Sequence, residues 1–412
     1  MMSNAGSTTG GSNVRLVRAL TCLMFFMFAM TTDSVGLIIP EVIKEFGLSM
    51  TTAGALQYGS MLGIAAAGLG LGFLADRLGR RSAILLGLLL FAGTAFLFPL
   101  SGSFLAVLAL TTIAGMAIGI FKTGAVALVG DLSSNSQQFT ATMNLVEGFF
   151  GVGAIIGPLI VTALIQQGTS WRFLYVIAGV MGVLLAIIAL RTRYPQVEKP
   201  AEQKAATLGH TLKLLPNRFV LGFSGLAFTY VVVESAIYVW MPTLLGEYQG
   251  SYLSLVGYAL PAFFVFRALG RFLGAWLLGK VEWSTALALC AVAIFLCFAG
   301  TAVFGVGAAL FLLPLSGLFM SILYPTINSK GVGCFGPAEQ GAAAGIILCF
   351  TCLGAFVGPL VMGLISDAMG SASYGFFVAT VAAALFAVGL VINALVKPAH
   401  AQLACYETSH VA

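Results

Sequence analysis

Six charged side chains lie inside long apolar runs of this sequence, and their types and positions make them candidates for chemistry. They are Asp33, Lys122, Glu147, Glu234, Arg267 and Arg271. A charged group is costly in an apolar medium, so these residues should face a cavity or an oppositely charged partner. The three histidines, His210, His400 and His410, lie outside the apolar runs. A proton carrier within the runs would therefore have to be a carboxylate.

The depth of each charge along its run predicts which charges meet. At about 1.5 Å per helical residue, Lys122 and Glu147 both lie roughly 12–14 Å from the same end of adjacent runs. We predict that these two residues pair, either permanently or in a way that breaks during a functional cycle. Glu234 and Arg267 lie roughly 24 and 20 Å deep, so they could also pair.

Asp33 lies roughly 22 Å deep, and the sequence offers it no obvious cation at that depth. A carboxylate that is removed from water and from opposite charge favours its protonated form and can bind a proton near neutral pH. We interpret Asp33 as a proton-coupling acid, with Glu234 and Glu147 as further candidates for this role. The alternative for Asp33 is a structural hydrogen bond between helices. Arg267 is either a substrate anchor or the partner of Glu234, whereas Arg271 is interpreted as structural.

The apolar runs predict an all-α membrane protein. The 412-residue chain is 59% hydrophobic and 8% charged, with a mean hydropathy of +1.03, whereas soluble domains carry about 25% charged residues. A membrane-spanning helix needs roughly 20 apolar residues. Twelve stretches qualify, and they are numbered spans 1 to 12: 16–38, 51–74, 82–101, 104–129, 139–166, 172–191, 219–245, 253–279, 284–304, 306–329, 341–366 and 373–396. Their length and their frequent Gly and Ala favour helices over barrel strands.

The sequence repeats itself once at half its length. Residues 153–159 read GAIIGPL and residues 354–360 read GAFVGPL, 201 positions later, and the same offset carries Asp33 onto Glu234. Such duplication indicates two pseudo-symmetric six-helix bundles that share a site. We expect five regions: a disordered cytoplasmic N-terminus (1–14), an N-terminal bundle (15–192), a cytoplasmic linker (193–217), a C-terminal bundle (218–397) and a cytoplasmic tail (398–412).

The positive charges predict the orientation in the membrane. Of 19 Lys and Arg residues, 14 fall in the N-terminus, the even-numbered loops and the C-terminus, and only Lys44 and Arg172 fall in odd loops. The positive-inside rule then places both termini in the cytoplasm, with the chain in the cytoplasmic (inner) membrane. The net charge of +5 is this bias, so it gives no argument for nucleic-acid binding.

The loop after span 2 carries the most specific local motif. It reads GFLADRLGRR over residues 72–81, in which a glycine allows close helix approach and an acid can face a helix N-terminus. This string resembles the signature of the major facilitator superfamily. The resemblance covers all twelve spans and implies the major facilitator fold with alternating access of a central cavity. It also implies that this motif forms part of the conformational switch through Gly72, Asp76, Arg77, Gly79 and Arg80.

Polar and aromatic residues in the spans suggest a solute site. Sugar sites combine flat aromatic faces with amide and hydroxyl groups. With the cations Lys122 and Arg267, the substrate-binding candidates are Gln57, Asn144, Tyr230, Tyr238, Tyr324 and Asn328. The cysteines in the spans, including Cys349 and Cys352, lack the partners of a metal site, so we predict no metal and assign them to core packing.

Several stretches also resemble the fucose permease branch of the superfamily: residues 144–158 in span 5, 234–240 in span 7 and 317–326 in span 10. This resemblance implies a proton-coupled sugar symporter, with Asp33 matching the acid tied to coupling and Glu147 matching an amide of the family. Lys122 stands where the family has an acid, so the charge is reversed. A cavity with Lys122 and Arg267 would equally suit an anionic substrate such as a sugar acid.

The sequence thus predicts a secondary transporter and disfavours other classes. An enzyme would need a clustered nucleophile, base or metal set, and a channel would show filter-like repeats. We expect proton-coupled uptake of a sugar or related polar solute by a monomer, with the proton gradient in place of a cofactor. The alternative is an organic-anion transporter or a drug/proton antiporter.

Overall fold

The computed structural model describes residues 14–70, 79–133, 136–192, 194 and 213–403. Within these residues, eleven helices are long and apolar enough to cross a membrane. Their bounds are Val14–Phe46, Arg80–Leu100, Phe104–Asp131, Ala141–Gln166, Phe173–Arg191, Arg218–Leu245, Leu253–Leu278, Trp283–Phe304, Val306–Gly333, Ala342–Met369 and Ala372–Val396. Predicted span 2 is seen as the helices Met50–Ala53 and Ala55–Gly70, and its last residues, 71–74, lie outside the described part.

Three of these spans are interrupted rather than continuous. Span 1 breaks at Asp33 and Ser34, between the helices Val14–Thr32 and Val35–Phe46. Span 7 runs as a regular helix over Arg218–Ser235 and then widens into a π-helical turn at Ala236–Trp240. Such turns shift the backbone register and are common at functional sites. Span 10 is likewise divided into Val306–Met320 and Leu323–Gly333.

The chain forms two compact units. The first comprises Met1–Thr32, Leu62–Ala154 and Thr169–Ala201, and the second comprises Asp33–Met61, Ile155–Gly168 and Glu202–Ala412. The bundle boundaries given above stay a prediction. Of the predicted N-terminus, residues 1–13 lie outside the described part, as do most of the linker and residues 404–412 of the tail.

Aromatic side chains fill the core of the first unit. The ring of Phe28 lies 4.9 Å from that of Phe91 and 4.6 Å from that of Phe121, and Phe25 lies 5.4 Å from Phe121. These rings join spans 1, 3 and 4. Edge-to-face contacts of this kind add to the area that the rings bury.

The repeated glycines make the same contact in both units. In the first unit, Gly153 of span 5 packs so closely on span 1 that an added Cβ would lie 2.1 Å from the carbonyl oxygen of Phe26. In the second, a Cβ on Gly354 of span 11 would lie 2.6 Å from the carbonyl oxygen of Phe228 in span 7. The duplicated sequence therefore encodes a duplicated helix–helix approach.

Candidate transport site

An ion pair and a tyrosine form the centre of the candidate site in the second unit. Arg267 Nη2 lies 2.7 Å from Glu234 Oε1, which confirms the pairing suggested by their depths. Tyr230 Oη lies 2.8 Å from the same carboxylate oxygen and 3.1 Å from the carbonyl oxygen of Met320. Glu234 is only 8% exposed, so the guanidinium and the hydroxyl replace the water that this carboxylate has lost.

The break in span 1 places Asp33 in the electric field of this ion pair. Asp33 interacts electrostatically with Arg267 and with Tyr238, and it is half-buried. The expectation that Asp33 lacks a cation at its depth was wrong. It failed because depth along one helix gives no information on how two helices turn toward each other. Arg267 thus lies in the field of two carboxylates, Asp33 and its direct partner Glu234.

Aromatic side chains of spans 7 and 10 lie beside the ion pair. The ring of Tyr324 stacks on that of Tyr230, with centroids 6.3 Å apart and planes 21° from parallel. Tyr238 is half-buried and interacts with Glu234, Asp33 and Arg267. Asn328 follows Tyr324 by one helical turn and is also half-buried. The structure therefore brings together the three predicted tyrosines of these two spans, Tyr230, Tyr238 and Tyr324.

Gln57 of span 2 is the most deeply buried of the polar candidates. Its side chain is 1% exposed, and Nε2 has no hydrogen-bond partner among the described residues. An amide nitrogen buried without an acceptor is unfavourable, by roughly 1–3 kcal/mol. Gln57 is thus suited to donate to a hydroxyl or carbonyl oxygen that is supplied from outside the protein.

Lys122 and Glu147 form no ion pair among the described residues, which contradicts the permanent pair, whereas a pair that breaks during a functional cycle stays a prediction. In the first unit, the Lys122 ammonium lies 5.0 Å from the ring centre of Phe150 and 5.9 Å from that of Phe25. The negative faces of these rings stabilise the cation in place of a carboxylate. Glu147 is exposed. Equal depth was insufficient because contact also requires that each helix is rotated so that its side chain faces the other, and these two side chains do not face each other.

Asn144 is also exposed, and it opens onto an apolar groove of about 450 Å³ rather than a polar site. The other residues lining this groove are Leu23, Phe26, Leu145, Gly148, Phe149 and Val152. A polar solute needs several convergent hydrogen-bonding groups, and this groove supplies one amide.

Part of the predicted switch motif can be located. Gly72, Asp76 and Arg77 lie outside the described residues. Gly79 has a φ of 85°, a conformation that favours glycine, and it begins the helix of span 3. Arg80 Nε lies 3.1 Å from Asp131 Oδ2 at the end of span 4, so this arginine ties the ends of two helices together.

The cysteines divide into two groups. Cys22, Cys290 and Cys297 are buried, as expected for packing. Cys349 and Cys352 are exposed, so the packing prediction was wrong for this pair. Because span 11 is apolar throughout, its sequence does not show which face of the helix is exposed rather than packed.

The spans and the charged cluster among them define a polytopic membrane protein with a polar site inside its helices, which is typical of membrane transporters. The sequence profile of the Major Facilitator Superfamily matches residues 21–331, more than half of the chain. The protein therefore belongs to the Major Facilitator Superfamily and has its all-helical fold.

Individual transporters resemble most of the chain. The L-fucose-proton symporter of Escherichia coli (strain K12) is 26% identical over 393 residues, which cover 86% of this chain and 87% of the symporter. A glucose/galactose transporter of Brucella abortus is 27% identical over 383 residues, covering 88% of this chain and 90% of the transporter. The crystal structure of the transporter FucP in the outward conformation matches with a TM-score of 0.63 at 23% identity, over 91% of this chain and 98% of FucP. This last likeness supports the fold alone.

Proposed function

We propose that this protein takes up a neutral sugar or a related polar solute together with protons, by alternating access. The observation that carries the proposal is the cluster in which Arg267 bonds to Glu234 and also lies in the field of Asp33. The names of the two relatives, a fucose–proton symporter and a glucose/galactose transporter, support the same class of substrate.

Protonation of Asp33 is the step that couples the proton gradient to transport. The positive charge of Arg267 is balanced by Glu234 within the ion pair. Asp33 lies in the electric field of this pair and is half-buried, and its protonation removes one negative charge from the cluster. A neutral cluster is less costly to carry through an occluded state than a charged one, because occlusion removes water from these groups.

The ion pair favours a neutral solute over a sugar acid. An anion that used Arg267 as its anchor would have to displace Glu234 from a 2.7 Å contact and leave that carboxylate buried without its cation. A neutral sugar needs only hydrogen-bonding groups and a flat apolar face. The ring of the half-buried Tyr324, which stacks on Tyr230, and the unbonded amide of Gln57 supply these features.

In this proposal the termini lie in the cytoplasm and the chain lies in the cytoplasmic membrane. The excess of Lys and Arg in the N-terminus, the even-numbered loops and the C-terminus supports that orientation. Asp33, about 22 Å beyond Arg18 along span 1, would then lie toward the outer half of the bilayer.

A ligand screen separates neutral sugars from the alternatives. Thermal unfolding of the purified protein is measured with L-fucose, D-glucose, D-galactose, the corresponding sugar acids and cationic drugs. A ligand that binds only the folded state raises the melting temperature, so a neutral sugar should produce a shift that its acid does not. A shift with the acids or drugs alone would replace the proposed substrate class.

The coupling role is tested with Asp33→Asn in proteoliposomes, using the sugar that the screen identifies. We expect gradient-driven accumulation to be lost while counterflow exchange of the same sugar continues, because exchange needs no net proton movement. Glu41→Gln is the matched control, since Glu41 lies on the same span and pairs only with the exposed Lys44. Accumulation that survives in Asp33→Asn would remove Asp33 from this role.

A further inference from the structure

The carboxylate at the end of span 11 holds the beginning of span 2. Asp367 Oδ1 accepts a hydrogen bond of 2.7 Å from the backbone N–H of Met50, and Oδ2 accepts one of 2.8 Å from the N–H of Thr51. Both N–H groups belong to the first turn of the helix Met50–Ala53, where backbone donors have no partner within the helix. One carboxylate thus satisfies two donors that lie more than 300 residues away in the sequence.

The position of Asp367 is unfavourable within its own helix. It occupies the last turn of Pro337–Met369, where the helix dipole is negative and disfavours an acid. The contact with the positive end of span 2 offsets this repulsion. The ionised carboxylate of Asp367 is therefore stabilised only while the beginning of span 2 is in contact with it.

A tight contact surface continues from Asp367 along the same face of span 11. An added Cβ on Gly363 would lie 3.2 Å from Trp240 and 3.2 Å from the Cα of Thr51. Two helical turns before Gly363, the ring of Phe356 in span 11 packs edge-on against the ring of Tyr58 in span 2, with centroids 5.5 Å apart. These contacts close the space between the beginning of span 2 and the end of span 11.

On the N-terminal side of Phe356, the same face of span 11 is exposed. Cys352 and Cys349 follow at helical spacing from Phe356, and both are exposed. Cys352 also interacts electrostatically with Tyr238 of the candidate site. The seal therefore lies between the Asp367 end of the spans and Cys352, which interacts with the candidate site, with Cys349 at helical spacing from Cys352.

We propose that Asp367 is the gating residue of the outer seal, and that release of its two hydrogen bonds opens the solute pathway on that side. This proposal rests on the proposed function in two respects, the orientation with cytoplasmic termini and the alternating opening of the site to the two sides. It does not depend on the identity of the solute or on proton coupling.

The two native thiols report on the seal directly. Right-side-out vesicles are treated with the membrane-impermeant reagent methanethiosulfonate ethyltrimethylammonium, and modification of Cys349 and Cys352 is followed by peptide mass spectrometry. We expect slow modification in the native protein when the reagent is outside, and modification at least ten times faster in Asp367→Ala. Asp367→Asn keeps one oxygen acceptor without the charge, so its rate should fall between the two.

Glu247→Ala is the matched control, because Glu247 makes the same kind of contact within the last six spans. Its carboxylate accepts a hydrogen bond of 3.0 Å from the backbone N–H of Ala372 at the start of span 12. This variant loses a carboxylate cap but leaves span 2 docked, so the labelling rate should not change.

An unchanged rate in Asp367→Ala, in protein that elutes and melts as the native form does, would overturn the proposal. Equal acceleration by Glu247→Ala would also overturn it, since the effect would then come from general loosening. Failure of the sugar or of Asp33 in the transport assays would leave the labelling result unaffected, so the two proposals fail separately.

Discussion

At the residue scale, the chemistry of the site depends on the guanidinium of Arg267, which interacts with two carboxylates. Arg267 and Tyr230 bind the same oxygen of Glu234, while Asp33 acts on the guanidinium electrostatically. Desolvation of a carboxylate costs several kcal/mol. Attraction to its bonded partners offsets this cost only while their contacts are kept. The arrangement holds Glu234 by two direct contacts, and the proposed function assigns the change of charge to Asp33.

Arg267→Leu should therefore destabilise the protein by about 3 kcal/mol, at the low end for a broken buried pair because the Arg267 side chain is 31% exposed. The measurement is the melting temperature together with sugar transport, both of which should fall. The double variant Arg267→Leu/Glu234→Leu should recover most of the melting temperature, because no charge is left without a partner, but not transport. A double variant as unstable as the single one would show that the ion pair is not what stabilises this region.

Close helix approach through glycine is the main packing device at the element scale. Gly153 and Gly354 occupy equivalent places in the repeat, and each meets a backbone carbonyl oxygen of the facing helix. A side chain there would force the helices apart, since a backbone atom cannot move aside as a flexible side chain can. Gly151, two residues before Gly153, has no neighbouring atom within 4 Å of an added Cβ.

The two glycines of span 5 give a matched pair of substitutions. Gly153→Ala should destabilise by about 1–3 kcal/mol through overpacking. Gly151→Ala should be neutral or stabilising by up to about 1 kcal/mol, because alanine favours the helix and meets no obstacle. Unfolding in mixed detergents measures both. Similar stability of the two variants would contradict the close approach of spans 1 and 5.

The last spans and the C-terminal tail are joined at the scale of the whole molecule. Lys397, just after span 12, donates a hydrogen bond to Glu282 in the loop before span 9, and His400 stacks on Trp283. Ala399 and Leu403 are buried, so this part of the tail packs onto the helices. The hydrogen bond from Lys397 is the main cause that holds the pKa of Glu282 below its ordinary value of 4.5.

This pKa shift predicts how tail docking depends on pH. Because the folded-state pKa of Glu282 is lowered, its stabilising effect is complete above the ordinary glutamate range and is lost as the pH falls through the folded-state value. Hydrogen exchange of the amides at 399–403, corrected for intrinsic rates, should show constant protection from pH 8 to 6 and a loss below pH 4.5. Glu282→Gln should be poorly protected at every pH. A loss of protection that begins above pH 6 would contradict Glu282 as the controlling group.

The sequence by itself determined the membrane class from composition, the duplication from a constant offset, and the superfamily from a local motif. None of these three signals requires knowledge of which residues are in contact. It also predicted the contact between Glu234 and Arg267 from depth. Depth alone misassigned Lys122 and Glu147, and it left Asp33 without a cation, since the rotation of each helix about its axis is set by packing against its neighbours.

Only the tertiary structure decided which side chains meet across the spans. Asp33 lies at a break in span 1 and Glu234 lies just before a π-helical turn in span 7. Neither irregularity has a local sequence signal as strong as the motif over residues 72–81. Asp367 reads in the sequence as an ordinary acid near a loop. It gains a role because folding brings the N-terminus of a helix more than 300 residues away within 2.8 Å of it.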